Sequence, residues 1–143
     1  MEFSVESSSR QSRQLVTAVL PNMLGQLKLL GGSHALLIKI IDDMPDQSEG
    51  VTMYVDEADC YLVLLRRAPR NNTRILTALL VTLAHELVHV KQMIRGTLKF
   101  VGDGDAMWRG KFYPAASTAY LDLPWELQAF AQQEIIARRA MSN

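Results

Sequence analysis

Apolar residues recur at helical spacing across residues 9–30, where Leu15, Val16, Val19, Leu20, Met23, Leu24, Leu27 and Leu30 form one broad stripe. The stripe predicts a first helix, with Pro21 placed to kink or divide it. Gly31-Gly32 should end it, because glycine readily takes the left-handed conformation at a helix terminus. Residues 34–41, rich in Leu and Ile, read as a strand, and residues 42–50, with Pro45 and several acids, as a loop. Residues 51–55 alternate Val51, Met53 and Val55 with Thr52 and Tyr54, the pattern of a half-exposed strand. After a turn at 56–59, residues 60–65 are continuously apolar, as expected of a more central strand packed on both faces.

Residues 66–72, containing Pro69, lead into a longer helix. Asn71 or Asn72 should cap it, and it should run to Arg95, with Gly96 as its stop and Lys91 and Arg95 complementing the negative end of its dipole. Ile75, Leu76, Leu79, Leu80, Leu83, Leu87 and Val90 cover much of its circumference, so it should be largely buried. Residues 97–123 interleave glycines with Trp108, Phe112, Tyr113 and Tyr120 and read as an irregular loop, of a length usually reserved for a site. Pro124 suits the first position of a final helix, which should end near Arg138-Arg139 and direct Leu127, Phe130, Ala131 and Ile135 toward the core. The expected fold is α+β, a single domain over residues 1–143. It comprises an N-terminal helix, a small three-stranded, largely antiparallel sheet, a buried helix, an irregular loop and a C-terminal helix.

Composition narrows the function. The 143 residues, 48% hydrophobic and 21% charged, suffice for one domain with a real core. Fifteen basic residues balance fifteen acidic ones, so no global field draws the chain to nucleic acid or to anionic membranes. The cluster Arg66, Arg67, Arg70 and Arg74 reads as a solvated connection. Cys60 is the only cysteine, which excludes an intrachain disulfide and a thiolate-rich structural metal site. The N-terminus lacks a basic region followed by an apolar core, and the longest apolar stretch, residues 75–84, is too short to cross a bilayer. These features lead us to expect a soluble, cytoplasmic protein.

The most informative pentapeptide is His85-Glu86-Leu87-Val88-His89. Four helical residues turn through about 400°, so the two imidazoles share one face about one turn apart and can grip one metal ion. Glu86, one position along, is close enough to that face to hold and deprotonate a metal-bound water, the division of labour in HExxH zinc hydrolases. A charge on so apolar a helix is costly unless it is paired, hydrogen-bonded or facing a metal.

A catalytic zinc site normally takes three protein ligands, leaving one to find. The extended motif is absent, since Gln92 and Arg95 stand where it requires Gly and His. His34, far upstream, reads as a surface or strand-end residue. Asp103 and Asp105 read as a turn, Asp122 as a turn or cap residue, and Glu134 lies further along the last helix. Glu126, in the first turn of that helix, is the best placed, although a glutamate there is also favoured simply by the helix dipole.

The motif, followed by Trp108-Arg109-Gly110, Tyr120 and Pro124-Trp125-Glu126-Leu127-Gln128-Ala129, resembles the small, minimal gluzincins, metallopeptidase-like proteins of bacteria and their phages. The resemblance covers roughly residues 51–135. It implies a minimal zincin-like fold, Zn2+ as cofactor, His85, His89 and Glu126 as ligands, and Glu86 as general base. Gln128 departs from the acidic residue expected there, which bears on support of the ligands rather than on the ligands themselves. The implied activity is peptide-bond hydrolysis, with Tyr120, Tyr113 and Arg109 as candidates for oxyanion stabilisation. Zincins also commonly pair extended substrate with an edge strand, and residues 51–55 are in the corresponding place, so a peptide or protein partner is expected by strand addition. The alternatives are a zinc-stabilised binding or structural protein that retains the fold without turnover, and a metal-free helical interaction domain.

Overall fold

The computed structural model describes residues 1–69 and 72–142. The fold is α+β, and the described residues form a four-stranded mixed sheet, a second three-stranded antiparallel sheet and three α-helices. The strands of the first sheet are β1 (Glu2–Ser7), β2 (Ala35–Ile41), β3 (Gly50–Val55) and β4 (Cys60–Arg66), in the spatial order β1-β2-β4-β3. Two of its three pairings, β1 with β2 and β2 with β4, are parallel, and only β3 runs antiparallel to β4. The expected three-stranded, largely antiparallel sheet is therefore corrected on both strand number and direction. Strand β1 alternates the partly buried Phe3 and Val5 with the exposed Glu2, Ser4 and Glu6. Helix α1 (Arg10–Gln26) then forms the crossover that a parallel neighbour requires.

Helix α1 is capped by Ser9, whose Oγ accepts from the Ser12 amide. It remains one helix through the exposed Pro21 and ends before Gly31-Gly32. Lys28 takes the left-handed conformation (φ 60°), and the Leu29 amide returns to the Leu24 carbonyl at 2.9 Å, folding Leu27 and Leu29 into the core. Helix α2 (Thr73–Ile94) has Asn72 as its cap, and the other candidate, Asn71, lies outside the described residues, as does Arg70 of the basic cluster. Of that cluster, Arg66 pairs with Glu49 and Arg67 with Asp42. By length and composition α2 is apolar enough to cross a membrane, unlike the shorter stretch read from sequence, but 56% of its apolar window is buried inside the fold.

All three helices contribute to one core, against the sheet face bearing Leu36, Ile38, Ile40, Tyr61, Val63 and Leu65. The opposite face, with Leu37, Leu62 and Leu64, is only partly buried, so β4 is packed on one face rather than two as its apolar run suggested. Helix α3 (Pro124–Met141) also differs from expectation: Leu127, Phe130, Ala131 and Ile135 are exposed, while Trp125, Ala129, Ile136, Ala137 and Ala140 are buried. Small side chains on the buried face let α3 approach its neighbours closely. Glu126 shares that face, which brings its carboxylate to α2.

Residues 97–123, expected to be an irregular loop, contain strands β5 (Leu98–Gly102), β6 (Asp105–Trp108) and β7 (Lys111–Tyr113). Asp103-Gly104 (φ 49° and 83°) and Arg109-Gly110 (φ 49° and 83°) each supply the two left-handed residues of a tight hairpin turn. Leu98, Ala106, Trp108 and Trp125 form a small second core that fastens this sheet to the start of α3, next to Glu126.

Candidate metal centre

Helix α2 supplies His85, Glu86 and His89, and the first turn of α3 supplies Glu126; all four residues are buried. His85 Nε2 lies 2.9 Å and His89 Nε2 3.2 Å from Glu126 Oε1, and the two ring nitrogens are 3.2 Å apart. These residues form a group able to hold a metal ion. Their outer ring nitrogens face carboxamides: His85 Nδ1 is 2.8 Å from Gln133 Oε1, and His89 Nδ1 2.8 Å from Gln92 Oε1. An amide oxygen only accepts, so each Nδ1 carries hydrogen and a neutral ring has its lone pair on Nε2. Three lone pairs then converge on one spot, which is stable only with positive charge among them, a proton or a metal cation.

The direction of Gln92 follows from its other contacts. Its Nε2 donates to the Trp125 carbonyl (3.1 Å) and to Gln128 Oε1 (2.8 Å), which turns its oxygen toward His89. Gln128, the departure noted in the sequence, thus anchors the support of His89 with a neutral amide. Removing such outer-shell support usually weakens metal binding about 10- to 100-fold. We expect Gln92→Leu to lower the affinity for Zn2+, added as a probe cation, by that amount, measured by competition with a chromogenic chelator. Unchanged affinity would show that His89 needs no such brace.

The protonation states fit this geometry. Burial alone would raise the Glu126 carboxyl, but hydrogen bonds with His85 and His89 outweigh it and hold its pKa at about 2. Burial disfavours charged His89, yet its hydrogen bond to Glu126 and that carboxylate's charge raise its pKa above the ordinary imidazole value. A cation must displace the proton held there, so metal affinity should rise with pH until the raised pKa of His89 is passed. Calorimetric titration with Zn2+ between about pH 5.5 and 8.5 checks this sign, and affinity independent of pH would contradict it. Burial raises the Glu86 carboxyl, an effect only partly offset by His89 and by the hydrogen bond from Thr52.

The Tyr120 hydroxyl donates to Glu126 Oε1 (3.0 Å), and burial, followed by the nearby Glu126 charge, raises its pKa. The other sequence candidates fall elsewhere. Tyr113 packs edge-on against Trp125, Arg109 lies over the Trp108 ring, and exposed His34 faces Tyr61. Asp105 accepts from the Ala115 amide, Asp103 sits in a hairpin turn, and Asp122 and Glu134 are exposed.

Strand β3 occupies the sheet edge, as expected for residues 51–55. The Arg66 amide donates to Glu49 O (3.0 Å), and the register pairs Gly50 with Leu65, so Val51, Met53 and Val55 bond toward β4. The backbone groups of Gly50, Thr52 and Tyr54 consequently face the open edge. Cavities follow this edge. One of about 440 Å3 is walled by Val81, His85, Glu86 and Phe130, one of about 220 Å3 contains His85, Glu86, His89 and Glu126, and one of about 610 Å3 runs past Tyr54, Met93 and Phe100.

Sequence reasoning missed Gln133, Gln92 as a brace, Phe130 as a wall of the cleft, and Thr52. Gln133 stands seven residues after Glu126 and Gln92 three after His89, spacings that share a helix face. Thr52 has no local signal, because its partner is 34 residues away. No family model matches the chain, and no curated protein or solved structure matches it significantly, so the reading of this centre rests on its own geometry and chemistry.

Proposed function

We propose that the protein is a zinc-dependent peptidase of the gluzincin type that hydrolyses a peptide bond in an extended substrate. The observation that carries this reading is the convergence of His85 Nε2, His89 Nε2 and Glu126 Oε1 in a cleft that also contains the Glu86 carboxylate. Ligands at zinc's usual distances of about 2.0–2.2 Å occupy tetrahedral corners roughly 3.3–3.6 Å apart. The three atoms here stand 2.9–3.2 Å apart, so small outward shifts suit them to the ion. Bound zinc would polarise the substrate carbonyl and acidify water.

The chain's own groups supply the rest. Glu86, made more basic by burial, takes a proton from the attacking water and returns it to the departing amine. The Tyr120 hydroxyl, kept protonated, donates to Glu126 Oε1 at rest; once that oxygen is engaged by the cation, its one hydrogen is free to turn to the carbonyl oxygen as charge develops there. The open edge of β3 offers main-chain hydrogen bonds to a peptide backbone, while the adjoining cavities receive its side chains.

The test is to load the full-length protein with Zn2+, measure bound metal, and follow cleavage of fluorescein-labelled casein. About one zinc per chain is expected, with cleavage that stops on chelation and resumes when zinc is restored. Protein that retains no zinc, or that cleaves equally well after chelation, would rule the proposal out.

A further inference from the structure

The general base of the proposed reaction has a seat on β3. Thr52 Oγ1 lies 2.8 Å from Glu86 Oε1 and 3.1 Å from the Glu86 carbonyl oxygen. A hydroxyl has one hydrogen to donate, and an ionised carboxylate is the stronger acceptor. Among the described residues Glu86 Oε2 has no corresponding partner. Instead Oε2 lies over Gly50, where a Cβ would come within 3.0 Å of it, 2.9 Å of Glu86 Cγ and 2.8 Å of Thr82 Cγ2. Glu86 is thus pinned by one oxygen to Thr52 and rests against bare backbone at Gly50.

We propose that Thr52 is a positioning residue for Glu86: it holds Oε1, so that Oε2 is the oxygen presented to the attacking water. The inference rests on the peptidase reading and deepens it. As the water oxygen bonds to the carbonyl carbon, Oε2 takes its proton; as the C–N bond breaks, that proton goes to the amine nitrogen. Gly50 keeps the space that this orientation needs. The same two residues turn their backbone groups to the open edge. A peptide pairing there would therefore brace the strand that aims the base, coupling substrate docking to base orientation.

The test uses zinc-loaded, full-length Thr52→Val, Thr52→Ser and Gly50→Ala, with a quenched-fluorescence peptide spanning the preferred casein cleavage site. Valine preserves shape and strand preference while removing the donor. We expect Thr52→Val to lower kcat about 10- to 100-fold with KM changed less than about 2-fold, because misplacing a catalytic group by about 1 Å has costs of that order. Zinc content should be retained, Thr52→Ser should recover most of kcat, and Thr52→Val should cost little more once Glu86 is glutamine. Gly50→Ala should also lose kcat, by displacing Glu86. Parental kcat in Thr52→Val, a serine variant as impaired as the valine, or a loss confined to KM would each overturn the role given to Thr52 while leaving the peptidase reading intact. A parent protein that binds zinc but cleaves neither casein nor peptide would overturn both.

Discussion

Replacing Glu86 with glutamine is expected to leave bound zinc unchanged and to lower casein cleavage by at least about a hundredfold, the scale of a positioned general base. Glutamine has the size of glutamate, and its amide oxygen can still accept from Thr52, but it cannot carry the transferred proton. Glu86 is outside the group formed by His85, His89 and Glu126, so the metal should stay. Metal analysis beside initial rates checks both halves. Retained zinc with a parental rate would remove Glu86 from the role of general base, whereas bound zinc with no cleavage by the parent would identify a metal-stabilised binding or structural protein. A stability consequence also follows. An acid whose folded pKa is raised is stabilised in its protonated form, so stability falls as pH rises through that pKa. Glu86→Gln should therefore not lower the melting temperature at neutral pH, because the parent bears the cost of ionising a buried carboxyl there.

Truncating Glu126 to alanine should weaken zinc binding by more than about a hundredfold, since loss of outer-shell support alone reaches that scale. Glu126 Oε1 is the shared partner of both imidazoles and of the Tyr120 hydroxyl. Without it, two rings remain to hold the cation, and Tyr120 loses its acceptor. His85→Ala should be comparably damaging. Asp122→Ala and Glu134→Ala, which alter exposed carboxylates on either side of Glu126 in the sequence, are the controls and should change affinity less than about 2-fold. Competition against a chelator of known affinity reads all four. Equal losses in Glu126→Ala and the two controls would remove Glu126 from the metal shell.

Much of this arrangement was legible because its determinants are local. The spacing of His85 and His89 needs only a helix, and the cap at Asn72, the stop at Gly96 (φ 75°) and the opening of α3 at Pro124 are governed by neighbouring residues. The two hairpin turns were equally local. Asp103-Gly104 and Arg109-Gly110 carry the residue types for paired left-handed conformations, but many glycines and aromatics made the segment look irregular. The face of α3 was less legible. Its apolar residues fall on two stripes, and composition favoured Leu127, Phe130 and Ile135 over the smaller Ala129, Ala137 and Ala140. Packing chose the small residues because they permit close approach to the neighbouring helices.

The sequence by itself determined the α+β class, the buried helix and the facing of its two histidines, since helical periodicity and capping act over a few residues. It also nominated Glu126 as a third ligand, without the means to bring that carboxylate to α2. Only the tertiary structure decided that convergence, the mixed pairing of β1, β2, β4 and β3, the glutamine braces behind the imidazoles and the seat of Glu86 on Thr52 and Gly50. Each of these depends on elements far apart in the chain, joined by burial of a common core and by directional hydrogen bonds that have no signature in local sequence.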